Sequence, residues 1–345
     1  MEFTTLQIVW FVLVAVLFVG YFVLEGFDFG VGMLLPFLAK DEKERRVMIN
    51  TIGPVWDGNE VWILVAGGAM FAAFPEWYAT LFSGFYLPLL LILVGLIVRG
   101  VAFEYRGKRE DPAWRRRWDA AIIVGSALPA LLWGVAFGNI VAGVPLDADH
   151  EYVGGFFTLL NPFALLAGVV TVTLFVTHGA IFIALKTVGD IRGRARRFAG
   201  RVGVVAAVAL LGFAAWYGFA HSNTPLTWVT TAVAALALVG GLMANALGRE
   251  GWAFLGTAVT IAATVATLFL GLFPAVMPST IDPAFTLHIG NASSAAYTLS
   301  IMTVAAAIFT PIVLLYQGWT YWVFRKRIGV QHMPDPVPAP REAEA

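Results

Sequence analysis

Apolar residues fill nine long stretches of this chain, and the polar residues between them fall into gaps of a few positions each. The stretches run over roughly 6–38, 47–74, 78–105, 118–142, 161–186, 200–221, 225–247, 252–277 and 297–324. Each reaches the ~20 residues that an α-helix needs to cross a hydrocarbon core of ~30 Å. The pattern predicts an all-α polytopic membrane protein with about nine transmembrane helices. The longest gap, about 143–160, separates four spans from the next four, so we expect two four-helix bundles plus one peripheral helix. In residue terms this gives a first bundle over 1–142, an outer loop over 143–160 and a second bundle over 161–277. An outer loop and the peripheral helix follow over 278–327. The Pro- and Ala-rich segment 328–345 is expected to be a disordered cytoplasmic tail. No Gly/Ser linker divides the chain, and the start MEFTTLQ lacks a basic n-region, which reads as a retained first span.

The polar gaps are of two kinds. Of the 22 Lys and Arg, all but Arg99 fall in the first, third, fifth and seventh gaps and in the tail. The alternate gaps hold only acids and histidines: Glu76, Asp147, Asp149, His150, Glu151, His221, Asp282 and His288. The positive-inside rule then puts the N-terminus outside and the C-terminus in the cytoplasm. A count of eight or ten spans would break this partition.

Four carboxylates lie deep inside the apolar stretches. Glu25 and Asp28 are in the first; Asp57 and Glu60 are in the second. Counting inward from the basic turn KDEKERR at ~1.5 Å per residue, Asp28 and Asp57 would lie ~15 Å deep, and Glu25 and Glu60 ~20 Å deep. Four central acids would cost on the order of 10 kcal/mol unless paired or protonated. In each pair the i, i+3 spacing puts both side chains on one helix face. Arg99, placed ~10 Å below the cytoplasmic interface, is within reach of Asp28 or Asp57 as a charge partner. Two readings of this set stand at this point: a proton pathway through Asp57, Glu60, Asp28 and Glu25, or interhelical glue. Glu104 and Asp119 fall at the cytoplasmic edge, either as interfacial charges or as the mouth of such a path.

Other chemistry is narrowed by what the chain lacks. With no cysteine it can form neither a disulfide nor a thiolate-ligated cluster. Five histidines include only one, His178, within a span, whereas bis-histidine haem ligation takes two per haem. No haem-ligand or metal-ligand set is therefore expected on this chain, and His178 reads as a hydrogen-bonded core residue. Zero net charge gives no bulk attraction to nucleic acid. Trp56 and Trp62 flank the second acid pair, where an indole N–H needs a partner. The strings FVLEGFDFG and FVTHGAIFI echo one another, superposing Glu25 on His178.

The strings YFVLEGFDFGVGMLLPF (21–37), WDGNEVWILVAGGAMFAAFP (56–75) and GLIVRGVAFEYR (95–106) resemble subunit II of the bd-type quinol oxidases, in that family's order and on the expected spans. The resemblance is dense over residues 1–140 and looser beyond. It implies a haem-bearing subunit I as partner, carrying two b-type haems and haem d, and leaves a small accessory subunit as a further candidate. Quinol would be oxidised on subunit I near the outer face of a bacterial cytoplasmic membrane, and O₂ reduced to water at haem d. The protons would come from the cytoplasm. The resemblance also implies that Asp57 belongs to a proton route along the subunit interface, with Asp28, Glu25 and Arg99 lining the same half. By the same resemblance Trp62 lies beside an oxygen entry route, and a structural quinone sits in this half in some relatives. One position departs: Glu60 stands where some relatives carry Gln. The competing reading from the residues alone is a proton-coupled secondary transporter, which also uses midplane carboxylates. A polar cluster confined to the first half counts against it.

Overall fold

The computed structural model describes residues 3–222 and 224–333. It is built from eleven α-helices: α1 (Thr5–Leu38), α2 (Glu42–Ile52), α3 (Trp56–Ala73), α4 (Pro75–Gly84), α5 (Tyr86–Tyr105), α6 (Pro112–Ala142), α7 (Pro162–Lys186), α8 (Asp190–Ala220), α9 (Leu226–Ala246), α10 (Glu250–Leu272) and α11 (Ala296–Val323). Their starts follow local chemistry. Thr4 and Gln7 form a capping box on α1. Asp111 and Asn161 accept N-terminal amides of α6 and α7, and each precedes a Pro at N1. Eight of these helices, α1 and α5 to α11, are long and apolar enough to cross a membrane among the described residues, and the chain is a multi-pass membrane protein.

The second expected span is not a single helix. Pro54 has no N–H to give, so the chain breaks at Gly53–Pro54 between the polar α2 and the 18-residue α3. The third is broken too: Pro75 starts the short α4, and α5 begins afresh after Phe85. Even so, α3 runs the length of the molecule. Trp56 at its start packs against the Phe103 ring, while Ala73 at its end accepts from the Ser294 amide. At that same end Gln7 Nε2 donates to Ser293 Oγ.

α1 is the central helix. It packs against α3 and α6 on one side and α7 and α10 on the other, so the two helix sets share one core. Its crossing with α7 is very close: a Cβ on Gly30 would fall 2.0 Å from the Phe175 carbonyl oxygen, and one on Gly179 would fall 2.6 Å from Gly30. Only glycine permits that approach, the usual device for helix association without a hydrophobic drive. α11 lies at the edge against α1 and α3, with Leu299 its single buried residue.

The basic loops gather at one end and are stitched together there. Arg106 donates to both oxygens of Glu42 at 2.9 Å and to Asp119 at 2.5 Å. Arg194 reaches Glu44 at 2.5 Å and the Leu38 carbonyl. Glu250 is bracketed by Arg192 and Arg327. The opposite end carries a two-stranded antiparallel pair, β1 (Ala275–Met277) with β2 (Leu287–His288), beside the 143–160 loop. Of the segment expected to be disordered, residues 328–333 are anchored: Ile328 exchanges backbone hydrogen bonds with Lys186 and Val188. The rest of that segment lies outside the described residues.

Candidate functional site

Three helices converge on one guanidinium. Arg99 on α5 is fully buried and sits beside Gly95 and Gly125. A Cβ on Gly125 would stand 2.8 Å from the Arg99 Cβ. Arg99 Nη2 donates to Glu25 on α1 and, at 2.9 Å, to Glu60 on α3. Its Cζ also lies over the Phe29 ring, 4.6 Å from the centroid. Glu25 and Asp28 are wholly enclosed, whereas the Glu60 side chain keeps about a quarter of its surface open (23%). Two carboxylates share one cation, so the set is not a simple neutral pair.

Asp28 is held separately. Asn59 Nδ2 donates to Asp28 Oδ2 at 2.7 Å. Asn59 Oδ1 in turn accepts from the Tyr321 hydroxyl at 2.6 Å and Gln317 Nε2 at 3.4 Å, both from α11. Trp62 Nε1 donates to Gln317 Oε1 at 2.8 Å. Glu25 Oε2, Asp28 Oδ1, Arg99 Nε and Nη1, and Ser126 Oγ are buried without a hydrogen-bond partner among the described residues. Buried polar atoms of this kind ordinarily bind water or carry a proton.

The expectations fare unevenly here. Glu25, Asp28, Glu60 and Arg99 come together, but Arg99 hydrogen-bonds Glu25 and Glu60, not Asp28 or Asp57. Asp57 stays outside the cluster: it is exposed, and its carboxylate accepts from the adjacent Gly58 amide at 2.8 Å. The depth count assumed an unbroken helix from the basic turn, and the Gly53–Pro54 break resets both depth and rotation. The buried face of α3 is Asn59, Ala66, Met70 and Ala73, which places Asp57 on the opposite side with the exposed Val61, Leu64 and Val65. Trp62 packs against Gly20 and engages α11. Glu104 is exposed near the basic end, and Asp119 is locked by Arg106 and Arg45. Asn59, Gln317 and Tyr321 were missed. Asn59 stands inside WDGNE, and its spacing to Ala66, Met70 and Ala73 is the signal that marks it as inward-facing.

The second half offers a different centre. His178 on α7 is fully buried and stacks on Phe254 at 4.5 Å. Its Nε2 lies 3.2 Å from the Val23 carbonyl, and its Nδ1 lies 2.6 Å from Thr257 Oγ1. The carbonyl can only accept, so Nε2 carries the proton and Nδ1 faces the hydroxyl. Both ring nitrogens are committed, and the residues here do not fit an axial haem ligand. Among the described residues no group of three or more His, Asp or Glu is placed to hold a metal.

With this geometry in hand, the chain can be set beside known proteins. The model of the family described as cytochrome bd terminal oxidase subunit II matches residues 6–324. The chain belongs to this family. It is 45% identical over 332 residues to the cytochrome bd ubiquinol oxidase subunit 2 of Bacillus subtilis, covering 94% of this chain and 97% of that one. It is 40% identical over 364 residues to the cytochrome bd-I ubiquinol oxidase subunit 2 of Escherichia coli, covering 95% and 96%. The solved bd oxidase of Geobacillus thermodenitrificans contains a chain of the same fold. The TM-score is 0.76 at 16% identity, over 94% of this chain and 100% of that one. Membership in the family places the chain in a terminal oxidase complex, an oxidoreductase that uses haem and quinol and contains a further subunit.

Proposed function

We propose that this chain is the subunit of a quinol:O₂ oxidoreductase that ligates no haem, supports a haem-bearing subunit I and routes cytoplasmic protons toward the oxygen-reducing haem. On this reading haem b and haem d are ligated by subunit I, and quinol is oxidised there. The complex lies in the bacterial cytoplasmic membrane. α2 and α3 together make one crossing, giving nine, with the N-terminus outside and the basic end cytoplasmic. α1 to α6 and α7 to α10 form two helix sets joined at α1 and α7, with α11 peripheral.

One observation carries the proton-routing reading. A fully buried charged cluster, Glu25, Asp28 and Arg99, is joined to the partly exposed Glu60, which stands one helical turn from the exposed Asp57 on α3. The face of α3 that bears Asp57 is otherwise apolar and exposed, with Val61, Leu64, Val65 and Phe71. Asp57 lies in the first turn of α3, at the edge of an otherwise apolar exposed face, and a protein surface covers such a carboxylate better than lipid does. Asp57 is then the group that passes protons to the partner, and the enclosed acids are the buffer behind it. Glu104 and Asp119 sit near the proposed entry side, and Trp62 beside an oxygen route remains part of the proposal. A small accessory subunit and a structural quinone are compatible partners.

Two measurements test this. A reduced-minus-oxidised spectrum of the complex purified through a tag on this chain should show b- and d-type haem bands. A colourless, self-sufficient preparation is what a transporter would give. Asp57→Asn should assemble with full haem content yet turn over more slowly. Unchanged turnover across pH in that complex removes Asp57 from the route.

A further inference from the structure

α11 is held unlike any other long helix. It buries almost nothing, yet polar ties fasten it along its length. Ser294 Oγ just before it donates to Ala72 O at 2.7 Å. Trp10 Nε1 donates to Thr303 Oγ1 at 3.0 Å, and Lys186 Nζ reaches the Phe324 carbonyl just beyond its end. Its two ties in the last two turns, Gln317 and Tyr321, both end on Asn59. We infer that Gln317 and Tyr321 are positioning residues that fix the orientation of the Asn59 amide, so that it presents its NH₂ to Asp28.

The orientation is forced from both ends. The Trp62 indole is donor-only and lies 2.8 Å from the Gln317 side-chain amide, so Gln317 must turn its oxygen to Trp62 and its NH₂ away. That NH₂, with the Tyr321 O–H, calls for an acceptor, so Asn59 offers Oδ1. Asn59 Nδ2 is then left to face Asp28 Oδ2 at 2.7 Å and the Leu24 carbonyl at 3.4 Å, and the latter can only accept. A donor-only group starts the chain and an acceptor-only group ends it. No amide along it can flip without setting a donor against a donor or an acceptor against an acceptor. The charged and titratable groups around Asp28 are Glu25 on its own helix, Glu60 on α3, Arg99 on α5 and Tyr321 on α11. The consequence for turnover rests on the proton-routing reading; the orientation itself does not.

The test uses the intact haem-loaded complex with Tyr321→Phe, Gln317→Leu and the two combined. Tyr316→Phe serves as a control on the same helix, outside the Asn59 network. The first readout is the Asp28 carboxyl band in redox-difference infrared spectra, assigned by its loss in Asp28→Asn. The second is the pH profile of quinol oxidation. We expect the band to shift in each variant, most in the combined one. The pH profile should move by about half a unit, the equivalent of one neutral hydrogen bond, while Tyr316→Phe changes neither. A shifted band with an unmoved profile supports the orientation and counts against proton routing through Asp28. Band and profile both unmoved in the combined variant overturn the inference. Should that variant not assemble, Tyr321→Phe, which removes a single oxygen, decides by the same criteria.

Discussion

Glu25 and His178 stand at matching places in two similar strings, on helices that cross within contact of one another, yet their surroundings have opposite chemistry. Around Glu25 stand Arg99 from α5 and Glu60 and Asn59 from α3, and atoms of Glu25, Asp28 and Arg99 have no hydrogen-bond partner among the described residues. Around His178 every polar atom is matched, and Phe27, Phe182 and Phe254 close the site. The difference teaches where function can reside. A saturated neutral site contributes packing and a few hydrogen bonds. A buried charged one keeps a standing desolvation cost that packing alone does not require.

The largest expected effect comes from removing the cation. Arg99→Leu strands Glu25 and leaves Glu60 unpaired, at a cost of about 3–5 kcal/mol for a buried pair broken on one side. Most of the assembled complex should be lost, as read from haem absorbance per milligram of membrane protein. Next is the crossing itself. Gly179→Val places a branched side chain where a Cβ alone would stand 2.6 Å from Gly30. Overpacking of this kind costs about 1–3 kcal/mol, so the thermal midpoint of the complex should fall while kcat changes little.

His178→Leu is the counter-experiment on the other region. It forfeits one or two neutral hydrogen bonds, about 1 kcal/mol, and should leave both haem content and turnover near their original levels. If it abolished turnover while Arg99→Leu did not, the contrast between the two centres would be reversed. Of similar size is Asp119→Asn at the basic end, where the buried pair keeps an amide oxygen for Arg106 and Arg106 still keeps Glu42. A loss of about 1 kcal/mol in stability is expected, the difference between a charged and a neutral hydrogen bond. Slowed turnover in that variant would instead mark Asp119 as a mouth of the path.

Much of this was legible in the sequence. Period and length gave the helices, the Lys and Arg partition gave the clustered basic end, and the rarity of acids in apolar runs pointed to the cluster. Arg99 was identified as the cation because it alone among the basic residues lies inside a span. Its hydrogen-bond partners were not. They depend on where α3 starts, and the Gly-Pro dipeptide at 53–54 was the available sign that the second stretch would not be one helix. Asp57 and Asn59 are two residues apart, and a rotation of ~200° between them puts one outside and the other in the core. Gln317 and Tyr321 lie more than 250 positions from Asn59 in the chain. Nothing local in the sequence of α11 distinguishes them from the other polar residues of an exposed helix.

On the proposed function, protons pass through this chain to its partner by way of Asp57. The most direct measurement is the quinol-driven oxygen consumption of Asp57→Asn complex with full haem content, followed across pH. Loss of a positioned proton carrier predicts turnover reduced roughly tenfold or more, with an altered pH profile and unchanged haem spectra. Turnover equal to the unmodified complex at every pH would contradict the account.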